Sequence, residues 1–433
     1  MGPLDASIVY INLPSIAHAF KADAASVGWV SMAYLLVMGS LLLSFGRLGD
    51  IFGFKRIYLL GLILFTGASV LCGFSGSLSQ LIAFRALQAL GAGMSLSLAP
   101  SIITDVFPAS ERGRALGING MLVAVGLAAG PSLGGIIAEN WGWRSIFFVN
   151  LPIGIIAFLW TQKVMPPYPR RTHTAFDWQG AALAFASLTA LLLFADRIAK
   201  ATRFAPGIFF LGLGALFFCT AFIKWERQTS EPMLDLTLFQ HPVFSAGNAA
   251  ALLNFMTQYI LVFATPFLLQ QQLQHTPGEA GTIMTAFPLT VLVTAPLAGY
   301  LSDRIGSAGL SAAGSLFCTI AAGGLALLTF GNEKSALPLL LSLFGLGTGL
   351  FQSPNNSSVM GTVPKHRLGI AGGVMATTRN VGMVLGIAAG SAVLTRSNSF
   401  PATYLTAAVI SFLATAICFF AGRFASQNSK PPG

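Results

Sequence analysis

Charged residues are scarce in this sequence: Asp, Glu, Lys and Arg make up 9% of its 433 residues, against roughly 25% in a typical soluble domain. Hydrophobic residues make up 54%. Apolar stretches of about twenty residues recur along the chain, without the alternating polarity of membrane β-strands. The composition therefore argues against a soluble protein and a β-barrel, and it predicts an all-α integral membrane protein.

The sequence also lacks the residues that several kinds of functional site require. The sequence contains no Gly-x-x-x-x-Gly-Lys loop, which argues against ATP hydrolysis by this chain. The four cysteines have no Cys-x-x-Cys spacing and the five histidines are scattered, so we expect no enzyme, metal or cofactor. The net charge of +10 comes from cations between apolar runs, where they set topology, and no nucleic-acid partner is predicted.

The apolar runs predict fourteen spans, and the cations orient them. Fifteen Lys and Arg residues fall in loops on one side of the membrane and seven in loops on the other. Because cations favour the cytoplasmic side, both termini are predicted to lie in the cytoplasm. The predicted location of the protein is the cytoplasmic (inner) membrane. Because Asp5 lies so close to Met1, we expect the chain to begin inside its first helix; a naturally short helix is the alternative. The predicted spans are 1–20, 26–46, 57–75, 80–105, 115–137, 145–162, 178–195, 206–223, 243–269, 280–300, 309–330, 337–360, 369–395 and 401–421.

An internal repeat predicts the architecture. Residues 46–53 and 299–306 share the pattern G-x-L-x-D-x-x-G at an offset of 253, and residues 116–120 and 368–372 share L-G-I-x-G at an offset of 252. Parallel repeats of this kind are the layout of certain secondary transporters. The sequence thus predicts an N-terminal six-helix bundle at 1–162, a linker with two inserted transmembrane helices at 163–242, and a C-terminal six-helix bundle at 243–433.

Five segments together resemble the motifs of a known family. Residues 46–56, 85–93 and 126–135 resemble the second-loop, fourth-helix and fifth-helix (antiporter) motifs of the major facilitator superfamily. In the fourth-helix motif, Ala89 stands where a glycine is usual. Residues 4–14 and 143–154 resemble the fourteen-helix drug:proton antiporter branch of this superfamily, although Tyr10 and Asn12 depart from that branch's usual residues. The resemblance implies two six-helix bundles in a pseudo-twofold arrangement. It also implies alternating-access export of small amphipathic or lipophilic compounds in exchange for protons.

The second loop is expected to act as a conformational switch, because the resemblance implies a latch there. Its glycines permit a tight turn, and the carboxylate near a helix end can make and release a contact. The alternative is that the charges only anchor the loop in the cytoplasm. The predicted switch residues are Gly46, Asp50, Gly53, Lys55 and Arg56, with Asp303 and Arg304 as a weaker counterpart in the second half.

Small residues recur every four positions in the fifth span. Gly126, Gly130 and Gly134 line one helical face and let a neighbouring backbone approach closely. Pro131 is expected to bend the helix, and Gly135 completes the motif. The resemblance implies export rather than import, whereas ordinary packing with no bearing on direction is the alternative.

Apart from Asp105 at the cytoplasmic end of its helix, three charged residues lie inside the predicted spans: Asp5, Arg85 and Arg379. A charge at mid-span costs about 2.5–3.5 kcal/mol on insertion scales, so such residues usually face a cavity or a partner. A carboxylate that moves between apolar surroundings and an arginine can load and unload a proton. Asp5 is therefore the predicted proton-coupling residue and Arg85 its modulator. Cation recognition or helix capping by Asp5, carbonyl hydrogen bonds by Arg85 and packing by Arg379 are the alternatives.

Polar and aromatic residues in the spans are candidates for a substrate pocket, where aromatic faces could hold a lipophilic cation. Hydrogen bonds between helices are the alternative use of these residues. The expected partners are a small-molecule substrate, protons and the lipid bilayer, while the sequence predicts nothing about accessory efflux subunits. Transport of a specific endogenous metabolite and a non-transporting receptor or scaffold are the rival functions. The candidate pocket residues are Tyr34, Gln88, Asn119, Asn254, Gln258, Tyr259, Gln352, Asn355, Asn356 and Arg379.

Overall fold

The structure is a computed structural model of the chain, and it describes residues 1–108, 111–165, 177–200, 206–229, 236–330, 335–364 and 367–428. These residues form helices and no β-strand. A helix satisfies its backbone hydrogen bonds within one segment, which a lipid environment demands. The predicted all-α fold class is confirmed.

The helices before the inserted pair occupy the first third of the chain, and two of them, Ser145–Phe148 and Asn150–Val164, follow one another as one apolar span. Their bounds are α1 (Gly2–Phe20), α2 (Ala24–Phe52), α3 (Phe54–Gly73), α4 (Leu78–Val106), α5 (Arg112–Trp141), α6 (Ser145–Phe148) and α7 (Asn150–Val164).

The inserted pair consists of α8 (Trp178–Lys200) and α9 (Pro206–Gln228). A short 3-10 helix at Leu236–Gln240 precedes the second half, and a π-helical segment at Leu268–Gln272 extends its first helix. The helices of that half are α10 (Pro242–Phe267), α11 (Pro277–Ile305), α12 (Ser307–Phe330), α13 (Leu337–Gly361), α14 (Leu368–Ser397) and α15 (Phe400–Asn428).

Each predicted span has a helix at its position. Within the described ranges, thirteen segments are long and apolar enough to cross a membrane by length and composition. The first helix, α1, falls outside that set because Asp5, Asn12 and His18 lower its hydropathy. The fourteen predicted spans thus correspond to thirteen strongly apolar segments and one more polar helix.

The chain forms two compact units, Met1–Trp225 with Leu269–Gly281, and Glu226–Leu268 with Thr282–Gly433. In the first unit α1 packs against α5, α4 packs against α2 and α3, and the inserted helix α8 packs against α2. In the second unit α10 packs against α14 and α15, and α12 packs against α13 and α15. The predicted division of the chain at residues 162 and 242 stays a prediction.

The repeated loop motif ends at the same backbone conformation in both halves. Gly53 lies between α2 and α3 with φ +90°, and Gly306 lies between α11 and α12 with φ +90°. A positive φ of this size favours glycine, because a Cβ would clash with the backbone. The last glycine of the motif is therefore required by the turn itself.

The glycines of the fifth span line a close helix contact. A Cβ on Gly134 of α5 would lie 2.9 Å from the Ile8 Cα of α1. Three glycines of α14, each 256 residues further on, face α10 in the same way, and a Cβ on Gly386 would lie 2.5 Å from the Met256 carbonyl oxygen. Close packing therefore accounts for this spacing in both halves. The α14 glycines are Gly382, Gly386 and Gly390.

We expect Gly134→Ala to lower the thermal unfolding midpoint of the detergent-solubilised protein, because the added methyl group would push α1 away from α5. Overpacking of this kind costs about 1–3 kcal/mol. Gly120→Ala on the same helix is the matched control, because no described atom of another helix lies within 4 Å of its added methyl group. Equal midpoints for the two variants would contradict tight packing at Gly134.

Candidate functional site

An ion pair is buried between α1 and α4. The Arg85 Nη1 atom lies 2.6 Å from the Asp5 Oδ2 atom, and each side chain is 1% exposed. Asp5 lies in the first turn of α1, where the helix dipole favours a negative charge. The two charges that the sequence predicted to act together are therefore in direct contact.

The second carboxylate oxygen is bound by two amides. Asp5 Oδ1 accepts hydrogen bonds from Gln88 Nε2 at 3.0 Å and from Asn150 Nδ2 at 2.6 Å. Gln88 Nε2 also donates to Ser69 Oγ at 2.7 Å, and Gln88 Oε1 accepts from Arg85 Nη1 at 2.5 Å. We call Asp5, Ser69, Arg85, Gln88 and Asn150 the Asp5 cluster; it joins helices α1, α3, α4 and α7.

Two aromatic rings enclose the arginine. The guanidinium carbon of Arg85 lies 4.2 Å from the centre of the Tyr34 ring and 5.9 Å from that of Phe147. The Arg85 Nε atom donates to the Val30 carbonyl oxygen at 3.3 Å. A buried ion pair is tolerated when further hydrogen bonds satisfy its remaining donors and acceptors, and these contacts serve that purpose.

The local sequence explains how α4 supplies two members of the cluster. Arg85 and Gln88 are three residues apart, so they project from the same helical face. Asn150 is the first residue of α7 and is 2% exposed. Asn150, Ser69 and Phe147 were not among the candidates drawn from the sequence. Of these three, only Asn150 could have been noticed in the sequence, because it is the one amide residue in the apolar stretch 145–160.

The other predicted pocket residues lie elsewhere. In the second unit Gln352 Nε2 donates to Gln258 Oε1 at 3.2 Å, and Asn355 Nδ2 donates to the Gly247 carbonyl oxygen at 3.2 Å. Asn254 Nδ2 lies 3.8 Å from the Cys318 sulfur atom. These contacts join helices, as the alternative reading expected. Asn119 is half-buried on α5 and Asn356 is exposed on α13.

A small cavity lies in the second unit beside the glutamine pair. It has room for no more than about one water molecule, and its walls include Gln258, Thr265, Met284, Phe287 and Phe344. Drug-sized ligands occupy roughly 300–1,000 Å³. This cavity is therefore too small to receive a substrate in this arrangement.

The switch loop makes a contact at the end of α7. Lys55 Nζ donates to the Gln162 carbonyl oxygen at 2.8 Å and also to the Met165 carbonyl oxygen. A cation is favourable at a helix C-terminus, where carbonyl groups lack partners. Arg56 is exposed, and the Asp50 side chain lies outside the described part of the chain.

The counterpart loop in the second half is arranged differently. Asp303 is exposed, and the guanidinium of Arg304 stacks 4.5 Å from the centre of the Tyr300 ring. No described contact joins Asp303 to Arg304. The weaker latch expected in this half stays a prediction.

The remaining antiporter-motif residues lie within the first unit. Gly126 faces Leu4 and Gly130 faces Ser7 of α1, while a Cβ on Gly135 would lie 2.1 Å from the Pro277 carbonyl oxygen. Pro131 lies inside α5. The motif thus packs α5 closely on two sides.

Comparisons with known proteins identify the family to which this architecture belongs. The Major Facilitator Superfamily profile matches residues 1–225 and 248–432. The riboflavin transporter RibZ of Clostridioides difficile (strain 630) is 39% identical over 97% of this chain and 92% of its own length. The multidrug resistance protein Stp of Mycobacterium tuberculosis (strain ATCC 25618 / H37Rv) is 33% identical over 90% of this chain and 73% of its own.

Solved structures of transporters with much lower sequence identity share the same fold. A bacterial homolog of the human lysosomal transporter Spinster has a TM-score of 0.72 at 16% identity, covering 100% of this chain and 96% of its own. Fold and sequence together define a multi-pass membrane transporter rather than an enzyme. The chain belongs to the Major Facilitator Superfamily, and relatives named as multidrug transporters support the drug-efflux branch that the five motifs indicated.

We expect Asp5→Asn to destabilise the protein, because it leaves the buried Arg85 charge without its counter-ion, a change that costs about 3–5 kcal/mol in buried pairs. Thermal unfolding in mild detergent, followed by tryptophan fluorescence, measures the effect. The double variant Asp5→Asn/Arg85→Gln removes both charges and should recover part of the lost stability. A double variant no more stable than Asp5→Asn would speak against the pair.

We expect Lys55→Met to loosen the end of α7, because two carbonyl groups lose their donor. Faster tryptic cleavage at Arg170 or Arg171, the first cleavable sites after this end, measures the change. Arg56→Met is the matched control, because that neighbouring side chain is exposed. If the two variants are cleaved equally fast, the Lys55 contact does not hold α7.

Proposed function

We propose that this transporter exports small amphipathic compounds across the cytoplasmic membrane in exchange for protons, by alternating access. The observation that carries the proposal is the buried Asp5 cluster, a titratable carboxylate in direct contact with an arginine inside the first unit. The proposal places both termini in the cytoplasm, as the distribution of cations indicates.

The hydrogen-bond pattern indicates where a proton would bind. Both donors to Asp5 Oδ1 are amide N–H groups, whereas Oδ2 faces the guanidinium of Arg85. A guanidinium at hydrogen-bond distance favours the ionised carboxylate, and its withdrawal in dry surroundings favours the neutral acid. The proton therefore binds at Oδ2 when Arg85 moves away, and it leaves when Arg85 returns.

The Asp5 cluster connects the binding and release of this proton to the other helices of the first unit. Gln88 contacts Asp5, Arg85 and Ser69 at the same time, so a change at the ion pair moves the side chain that joins α4 to α3. Asn150 carries the same change to α7, whose other end is bound by Lys55. A two-state element of this kind is what alternating access requires.

A second candidate function is the transport of one specific metabolite. The relative at 39% identity is named for riboflavin, a single compound, whereas the relative at 33% is named for multidrug resistance. Amphipathic planar molecules satisfy both names. A substrate panel separates the two functions.

The test uses inside-out vesicles with an acidic interior, to which riboflavin and a panel of lipophilic drugs are added. We expect substrate-dependent proton release from the wild type and none from Asp5→Asn. Asp23→Asn is the matched control: Asp23 Oδ1 accepts the Ser26 N–H at 2.7 Å as the cap of α2, and asparagine caps a helix about as well.

Release with many compounds supports multidrug export, and release with riboflavin alone supports the metabolite function. Proton release that survives in Asp5→Asn would move the coupling role to another residue. The absence of release with every compound would refute proton-coupled export.

A further inference from the structure

The arginine in α14 differs from Arg85 in its surroundings. Arg379 lies near the middle of a thirty-residue helix, and its side chain is exposed rather than buried. A cation at this depth is costly unless it faces a water-filled cavity or a partner. The position therefore indicates a cavity-facing charge.

The helices around Arg379 offer no counter-ion. The segments α10, α12, α13, α14 and α15 contain no Asp or Glu, and the two acidic residues of α11, Glu279 and Asp303, lie in its first and last turns. Arg85, by contrast, is neutralised by Asp5 at 2.6 Å. Of the three charges placed in mid-span, Arg379 is the one to which no described residue forms an ion pair.

Arg379 projects towards α10. Arg379 precedes Gly386 by seven residues, about two helical turns, so it projects from nearly the same face of α14, which packs against α10. Tyr259 of α10 lies within electrostatic range of its guanidinium. The preceding residue, Gln258, accepts a hydrogen bond from Gln352 Nε2 of α13.

We propose that Arg379 binds the anionic group, a carboxylate or phosphate, of an amphipathic substrate. Guanidinium groups pair with these anions through two parallel hydrogen bonds. The inference deepens the proposed function, because it names the substrate class that the exporter carries.

The charged residues within the spans disfavour the binding of a cationic substrate. Both carboxylate oxygens of Asp5 are occupied by Arg85, Gln88 and Asn150, so this group offers no free acceptor to a cation in this arrangement. Arg379 leaves one net positive charge among the three mid-span residues. A bound anion neutralises that charge, whereas a bound cation adds to it.

The test measures equilibrium binding to the purified full-length protein with three anthracene probes that differ only in one substituent: a carboxylate, a neutral carboxamide and a methylammonium group. We expect the carboxylate to bind about tenfold more tightly than the carboxamide, which is the gain from one charge-assisted hydrogen bond, and the methylammonium probe to bind most weakly. Arg379→Gln should remove the preference and Arg379→Lys should keep part of it. Arg396→Gln, an exposed cation on the same helix, is the matched control and should leave the preference unchanged.

Equal binding of the three probes to the wild type overturns the inference whatever the variants do, and so does a carboxylate preference that survives in Arg379→Gln. Binding is read without a proton gradient, so a failure of proton coupling leaves this result intact. Conversely, proton release driven equally by all three probes overturns the anion site and leaves the proposed export function standing.

Discussion

The structure of the first unit depends on one ion pair buried among membrane-spanning helices. Taking Asp5 and Arg85 out of water costs several kcal/mol for each ion, and their mutual attraction offsets this cost only because the remaining polar atoms are also bound. Gln88, Asn150 and the Val30 carbonyl supply those contacts from three helices. The pair therefore fixes where α1, α2, α4 and α7 meet. Of the three charged residues that the sequence places in mid-span, Asp5 is the one carboxylate, so a single proton there alters the balance of charge inside the membrane.

The two halves repeat their packing but not their charges. A glycine at the end of the loop motif adopts φ +90° in each half, and three glycines spaced four apart pack α5 on α1 and α14 on α10. The first unit, however, contains the Asp5–Arg85 ion pair, while the second contains the Gln258–Gln352 pair and Arg379, to which no described residue forms an ion pair. On our proposals the first unit exchanges the proton and the second binds the substrate. A duplicated scaffold thus supports two different tasks.

Much of this fold could be predicted from the sequence, because hydropathy and an internal repeat are local signals. The loop glycines Gly53 and Gly306 were recognisable from one shared pattern, and Asp5 and Arg85 stood out because charge is rare inside spans. The partners of Asp5 were not predictable to the same degree. A serine or an amide in an apolar span is as often a contact between helices as a functional group, so Ser69 and Asn150 become meaningful only when the folded chain brings them to the carboxylate. The predicted pocket residues separated for the same reason: Gln88 joined the Asp5 cluster, whereas Asn355 and Asn254 bind neighbouring helices in the second unit.

The protonation of Asp5 during transport is the step on which proton coupling depends, and infrared difference spectroscopy observes it directly. Spectra of the reconstituted protein with and without a transported compound should show a change in the carboxylic-acid C=O stretching band, because loss of the Arg85 contact leaves a neutral acid. That band should be absent from the Asp5→Asn variant and present in Asp23→Asn. A substrate-induced band that persists in Asp5→Asn, or a wild-type protein that transports without one, would contradict the proposal that Asp5 carries the proton.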